Sequence, residues 1–106
     1  MTDEHLTALL AGKVMGWTVS PDRFMMGGRQ WQPRWRFQPV LRMEDAFRLL
    51  EQAAPQEYAV GSTQNGGSWA RVRIADIAGE ARESSQPRAI TFAIARALGI
   101  EPEETL

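Results

Sequence analysis

The chain reads as a small α+β domain, a mainly antiparallel sheet packed with about three amphipathic helices. Three observations predict this. Apolar residues recur at helical spacing in three separate stretches. Two alternating segments flank Asn65-Gly66-Gly67, whose residues accept the positive φ of a hairpin turn. Helices with one apolar face need an apolar surface to cover, and a small sheet supplies it. The 106 residues suit a single domain.

The first helix is expected over 3–15, where Leu6, Leu9, Leu10 and Val14 make one stripe. Thr2 or Asp3 can cap its start, and Asp3 and Glu4 suit the positive end of the helix dipole. Gly16 supplies a left-handed residue to end it, and Trp17 packs back onto it. Residues 18–38 read as an irregular arm: Ser20-Pro21-Asp22 is a turn signal, and Met25-Met26-Gly27-Gly28 suggests a flexible tip. The alternation of Arg34, Trp35, Arg36 and Phe37 after Pro33 predicts a short edge strand at 34–37.

The second helix is expected over 42–54, burying Met43, Ala46, Phe47, Leu50 and Ala54, with a Glu44–Arg48 pair outside and Pro55 as the stop. Tyr58 and Val60 begin a hairpin whose second strand, about 69–75, sets Ala70, Val72 and Ile74 on one face. Trp69, Arg71 and Arg73 fall on the other. A third strand from Ile77 to Arg82 follows a bend near Asp76. If helices cover both sheet faces, as three helices favour, Trp69 is buried and the arginines reach outward. If one face is bare, Trp69, Arg71 and Arg73 form an exposed aromatic–cation patch. The last helix is expected over 86–98, capped by Ser84 or Ser85, with Pro87 in its first turn. Ile90, Ala93, Ile94, Ala97 and Leu98 are its buried stripe, Gly99 its stop, and Ile100 its closing contact. Residues 100–106 form a solvated acidic tail.

Composition excludes several chemistries. With no cysteine and one histidine, a thiolate or Cys/His metal site cannot form. His5 lies near the terminus on a helix surface, so no nucleophile–base pair is evident. Asp76, Glu80 and Glu83 lack the loop spacing of a carboxylate cation site and read as a solvated edge. No glycine loop opens a helix as a phosphate cradle does. The chain is therefore expected to be non-enzymatic, without cofactor or metal. No apolar run is long enough for a membrane span, and Asp3 and Glu4 stand where a signal peptide needs positive charge. A cytoplasmic location is expected.

Net charge is −1, so no global field favours nucleic acid. Locally, Arg29, Trp31, Arg34, Trp35 and Arg36 combine cations with flat rings. That combination serves a protein interface, where Trp and Arg concentrate binding energy. It also serves single-stranded nucleic acid, through stacking and phosphate contact. The plain alternative is that Trp31, Trp35 and Phe37 are core and the arginines rim.

Four anchors occur in order: Lys13-Val14-Met15-Gly16-Trp17, Phe37-Gln38-Pro39 leading to Asp45-Ala46-Phe47, the hairpin with Trp69, and Gln86-Pro87-Arg88-Ala89-Ile90. Over roughly residues 6–99 the chain thereby resembles the phage ABA sandwich domain, a group of small tailed-phage and prophage proteins. It departs from the group at Val40-Leu41-Arg42, which lacks a polar helix cap, and in its arginine-rich arm. The resemblance implies a phage or prophage origin and helix–sheet–helix layering, and it carries no catalytic residues. The function expected is an accessory protein that binds another protein: itself, a phage component, or a host factor such as a defence complex. The alternative is a nucleic-acid-binding module using the Arg/Trp-rich arm at 23–42.

Overall fold

The structure, a computed structural model, describes residues 2–102. Its helices are α1 (Asp3–Lys13), α2 (Met43–Ala53) and α3 (Gln86–Ala97). Its strands are β1 (Thr18–Val19), β2 (Arg23–Gly27), β3 (Gln30–Pro33), β4 (Glu57–Ser62), β5 (Ser68–Ile74) and β6 (Ile77–Glu83). They form two antiparallel sheets, β1-β2-β3 and β4-β5-β6. The α+β class is the one the sequence predicts. Residues 103–106 of the acidic tail lie outside the described residues.

Each helix ends where its local chemistry changes. Thr2 accepts the His5 N–H at the start of α1. Gly16, at φ +72°, turns the chain so that the Trp17 N–H reaches the Ala11 carbonyl at 3.1 Å. The Ser85 hydroxyl caps α3, and at its far end Gly99 takes φ +80° while the Ile100 N–H bonds the Ala95 carbonyl. Ile100 and Pro102 are buried, so this part of the tail is packed rather than solvated. No side chain caps α2, but Asp45 inside its first turn accepts the Gln38 N–H at 2.9 Å and ties the helix to the preceding loop.

Helix α3 is the centre of the molecule. The sequence predicts one buried stripe, yet every residue from Ala89 to Ala95 is buried. The extra faces are covered because β5 and β6 pack on one side of the helix and α2 on another. At Gly79 of β6 the helix backbone lies directly on the strand: a Cβ there would meet the Ala93 carbonyl oxygen and the Ala97 nitrogen well inside contact distance. Only glycine permits that approach. Across the helix, the buried Thr91 hydroxyl donates to the Pro39 carbonyl at 2.8 Å and stitches α3 to the loop before α2.

The arm is ordered, not irregular. Residues 18–33 form the three-stranded sheet, with Met25 and Met26 inside β2 and the turn confined to Gly28 and Arg29. The strand predicted at 34–37 is instead a 3₁₀ turn over Arg34–Arg36, because the β3 ladder stops at Pro33 and the chain must bend to bring Phe37 inward. Phe37 then joins Phe24 and Trp17 in a triad of rings with centroids 5.0 to 6.0 Å apart. The arm, the helices and the second sheet share one continuous core.

Helix α2 is rotated relative to its predicted stripe. Asp45, Ala46, Leu49 and Leu50 face inward, and Phe47 is exposed. The Glu44–Arg48 pair does not form, since the Arg48 guanidinium lies over the Trp17 ring at 5.1 Å. The β5–β6 link is a tight two-residue turn in which Ala75 and Asp76 both take positive φ. Gln56 braces it with two hydrogen bonds to Asp76.

Candidate functional site

The β2–β3 register decides where the arm's aromatic and basic side chains go. Trp31 pairs with Met25 across the strands and is half exposed. Its ring lies under the Arg23 guanidinium at 4.3 Å. Arg23 in turn holds Asp22 at 3.0 Å, and that hydrogen bond keeps the Asp22 carboxyl below the usual carboxylate range. Arg29 sits exposed at the hairpin tip. The 3₁₀ turn then fans out its residues. Arg34 donates to the Glu4 carbonyl at 3.3 Å and lies over Phe24. Trp35 points outward with Arg36 against it at 5.8 Å, and Phe37 turns into the core. Trp31 and Trp35 are therefore surface residues, and Phe37 alone of the three is core.

This fan opens a cleft of about 500 Å³ between the first turn of α1 and residues 34–41. Phe24, Phe37 and Val40 line it from the core side, and Asp3, Glu4 and Thr7 line it from α1. Trp35 and Leu41 also line it, and they are 61% and 70% exposed. Leu41 is a residue the sequence reading passed over. Its signal was the pair Val40-Leu41 after Pro39, one residue of which has to face out.

The outer face of β4-β5-β6 is the second surface. It is open, the second of the two alternatives the alternation left, because α2 packs on α3 rather than on this sheet face. Arg71 pairs with Glu80 and Arg73 with Glu57, each at 3.5 Å, so both candidate cations face a carboxylate. Trp69 lies over Gly61, where a Cβ would come within 2.6 Å of its ring. Trp69, Arg71, Glu80, Arg82 and Arg96 line a shallow dish of about 560 Å³. Of the remaining carboxylates, Asp76 is engaged by Gln56, and Glu83 is held by Arg88 at 2.9 Å. Burial works against the charge on Arg88, but Glu83 and Asp3 outweigh it and hold the pKa above the usual arginine value. Among the described residues no group of three or more His, Asp or Glu side chains is placed to hold a metal ion.

A family model for the phage ABA sandwich domain matches residues 8–95. The chain belongs to that family. Among solved structures, a phage protein from Bacillus cereus ATCC 14579 is similar, with a TM-score of 0.78 over 97% of this chain and 93% of that one. At 19% identity the likeness extends to the fold. No curated protein matches the chain.

Within this ABA sandwich domain the seven candidate residues divide between two surfaces. Arg29, Trp31, Arg34, Trp35 and Arg36 belong to the arm, and Arg34 and Trp35 reach the cleft. Arg71 and Arg73 lie on the outer sheet face, and neither lines the cleft. No helix of the described residues is long and apolar enough to cross a membrane.

Proposed function

We propose that this phage protein acts without catalysis, by binding another protein in the cleft between α1 and residues 34–41. The observation that carries the reading is the exposure of Trp35 and Leu41 beside a recess backed by Phe24, Phe37 and Val40. Large apolar side chains left in water beside an apolar recess gain about 1.5–3 kcal/mol each on full burial. Tryptophan and arginine at such a site are the residue types that dominate interface energetics. The acidic first turn of α1 on one side and Arg34 on the other supply polar contacts that fix orientation, with Arg36 beside the cleft against Trp35. The partner is a phage component or a host protein, and a defence complex belongs to that second class.

The same arm suits a nucleic acid less well. Arg23 is held by Asp22, Arg34 by the Glu4 carbonyl, and Arg36 lies against Trp35. Phosphate contact would have to displace these partners, and the chain as a whole is not basic.

The test is affinity capture from infected or lysogenic cells, comparing the wild-type chain with a Trp35→Ala, Leu41→Ala double variant. Both side chains are exposed, so the variant keeps its melting temperature. A partner recovered by the wild type and lost by the variant supports the reading. Equal recovery from the folded variant removes the cleft from it. A titration of labelled single-stranded DNA that binds tightly, with affinity falling steeply in salt, would favour nucleic acid instead.

A further inference from the structure

The two edges of the β4-β5-β6 sheet are finished differently. Ile74 and Ile77 close the two-residue turn as a hydrogen-bonded pair, so by the alternation of an antiparallel ladder Gly79, Ala81 and Glu83 also bond toward β5. The N–H and C=O groups of Ala78, Glu80 and Arg82 then point off the β6 edge. There the Glu80 carbonyl is taken by the Arg96 guanidinium of α3 at 2.7 Å. At the opposite edge the Thr63 N–H bonds Gly67, which makes Gly61, Ala59 and Glu57 the residues that bond to β5. The N–H and C=O groups of Tyr58, Val60 and Ser62 face outward, and no backbone group of the described residues meets them. This edge runs six residues without proline, lysine or a break in register. Those are the usual devices that keep a free edge from pairing.

We propose that two copies of this chain pair through β4, antiparallel about a two-fold axis at Ala59, to make one six-stranded sheet. The strand is complementary to itself in that register. Tyr58 lies opposite Val60 of the second copy, and the two exchange both backbone hydrogen bonds, once on each side of the axis. These are an aromatic and a β-branched residue on the α3 side of the sheet, a favourable cross-strand pair. Tyr58 is 54% exposed and Val60 half-buried in one copy, so pairing covers apolar surface that the chain leaves open. On the outer face Ala59 meets Ala59 and Glu57 meets Gly61, so no charge opposes its like. Shifting the axis to Val60 sets Tyr58 against Ser62 and loses the apolar pair. A two-fold pairing uses the same edge on both chains and closes on itself. The pairing is independent of the cleft, and its test uses the purified chain alone.

Sedimentation of the wild-type chain over a range of concentrations is expected to show a mass rising from monomer to dimer. Tyr58→Pro removes an N–H that bonds no backbone group among the described residues and is expected to stay monomeric with an unchanged circular dichroism spectrum. Tyr58→Lys keeps the backbone intact and is expected to weaken the dimer, which guards against a folding defect in the proline variant. The chain has no cysteine, so Ala59→Cys introduces a lone thiol. Opposed residues of a non-hydrogen-bonded pair have Cα atoms about 4.5 Å apart, within disulfide reach. Mild oxidation is expected to cross-link Ala59→Cys into a dimer and to leave Ser62→Cys, which faces Gln56 in this register, uncross-linked. A wild type that remains monomeric throughout, a dimer unaffected by both Tyr58 variants, or cross-linking through Val60→Cys in preference to Ala59→Cys would each overturn the proposal.

Discussion

The arm and the β5–β6–α3 body are joined in one core but are packed by opposite means. In the body, small residues let backbones touch: Gly79 admits the α3 backbone, and Ala70, Ala81, Ala89 and Ala93 keep the layers close. In the arm three strands of two to five residues lack the length to pack by themselves, and the Trp17, Phe24 and Phe37 rings fill the space. The body is specified by what is missing from its side chains, and the arm by a few large groups. The two should therefore fail differently when altered.

The largest effect is expected in the arm. Phe37→Ala removes a fully buried ring from the triad and should cost about 4 kcal/mol, read by urea denaturation. Because the core is continuous, the denaturant slope should stay unchanged. A reduced slope would show the arm detaching separately and would break the one-core picture. In the body, Gly79→Ala adds a single carbon against α3 backbone that cannot move aside, and should cost about 3 kcal/mol. Arg88→Ala comes next, at about 2 kcal/mol. It takes a guanidinium from Glu83, whose side chain is only 9% exposed, and unties α3 from Asp3 of α1. Gly16→Val forces a branched side chain to a φ of +72° and should cost about 1 kcal/mol or more. The smallest effect sharpens the contrast best. Gly61→Ala also meets an atom well inside contact distance, a Trp69 ring at 2.5 Å, yet that ring borders open solvent and can swing away. Its cost should stay near 0.5 kcal/mol, with a change in tryptophan fluorescence. A loss as large as that of Gly79→Ala would mean that the ring is locked.

The same contrast explains what could be read in advance. Helices α1 and α3 are marked by caps and glycine stops, α2 by helical periodicity and Pro55, and the β4–β5–β6 hairpins by alternation, all local properties of the chain. The central position of α3 is not marked, because an alanine looks the same whether buried or exposed; Ala89 and Ala95 carry no sign that a second layer covers them. The arm was missed for the converse reason. Strands as short as β1 have no measurable period, and Pro33 hides the fact that the ladder runs up to it. Trp31 and Trp35 are apolar by type; the β2–β3 register sets Trp31 toward water, and the bend at Arg34–Arg36 turns Trp35 out and Phe37 in. For the candidate surfaces, the residue types were legible and their grouping was not. Arg71 and Arg73 lie on a different face from the arm because cross-strand pairing, not sequence proximity, gives them Glu80 and Glu57 as neighbours.

The contact between Arg96 and the Glu80 carbonyl has a consequence for assembly. A sheet open at both ends is a template that can add strands without limit, as fibrils do. Here one end is crossed by a guanidinium from the chain's own central helix, which occupies one carbonyl of β6. A strand arriving there has to displace that contact, whereas one arriving at β4 displaces nothing of the kind. Two such sheets joined along β4 carry this obstacle at each extremity, which biases the assembly toward stopping at two.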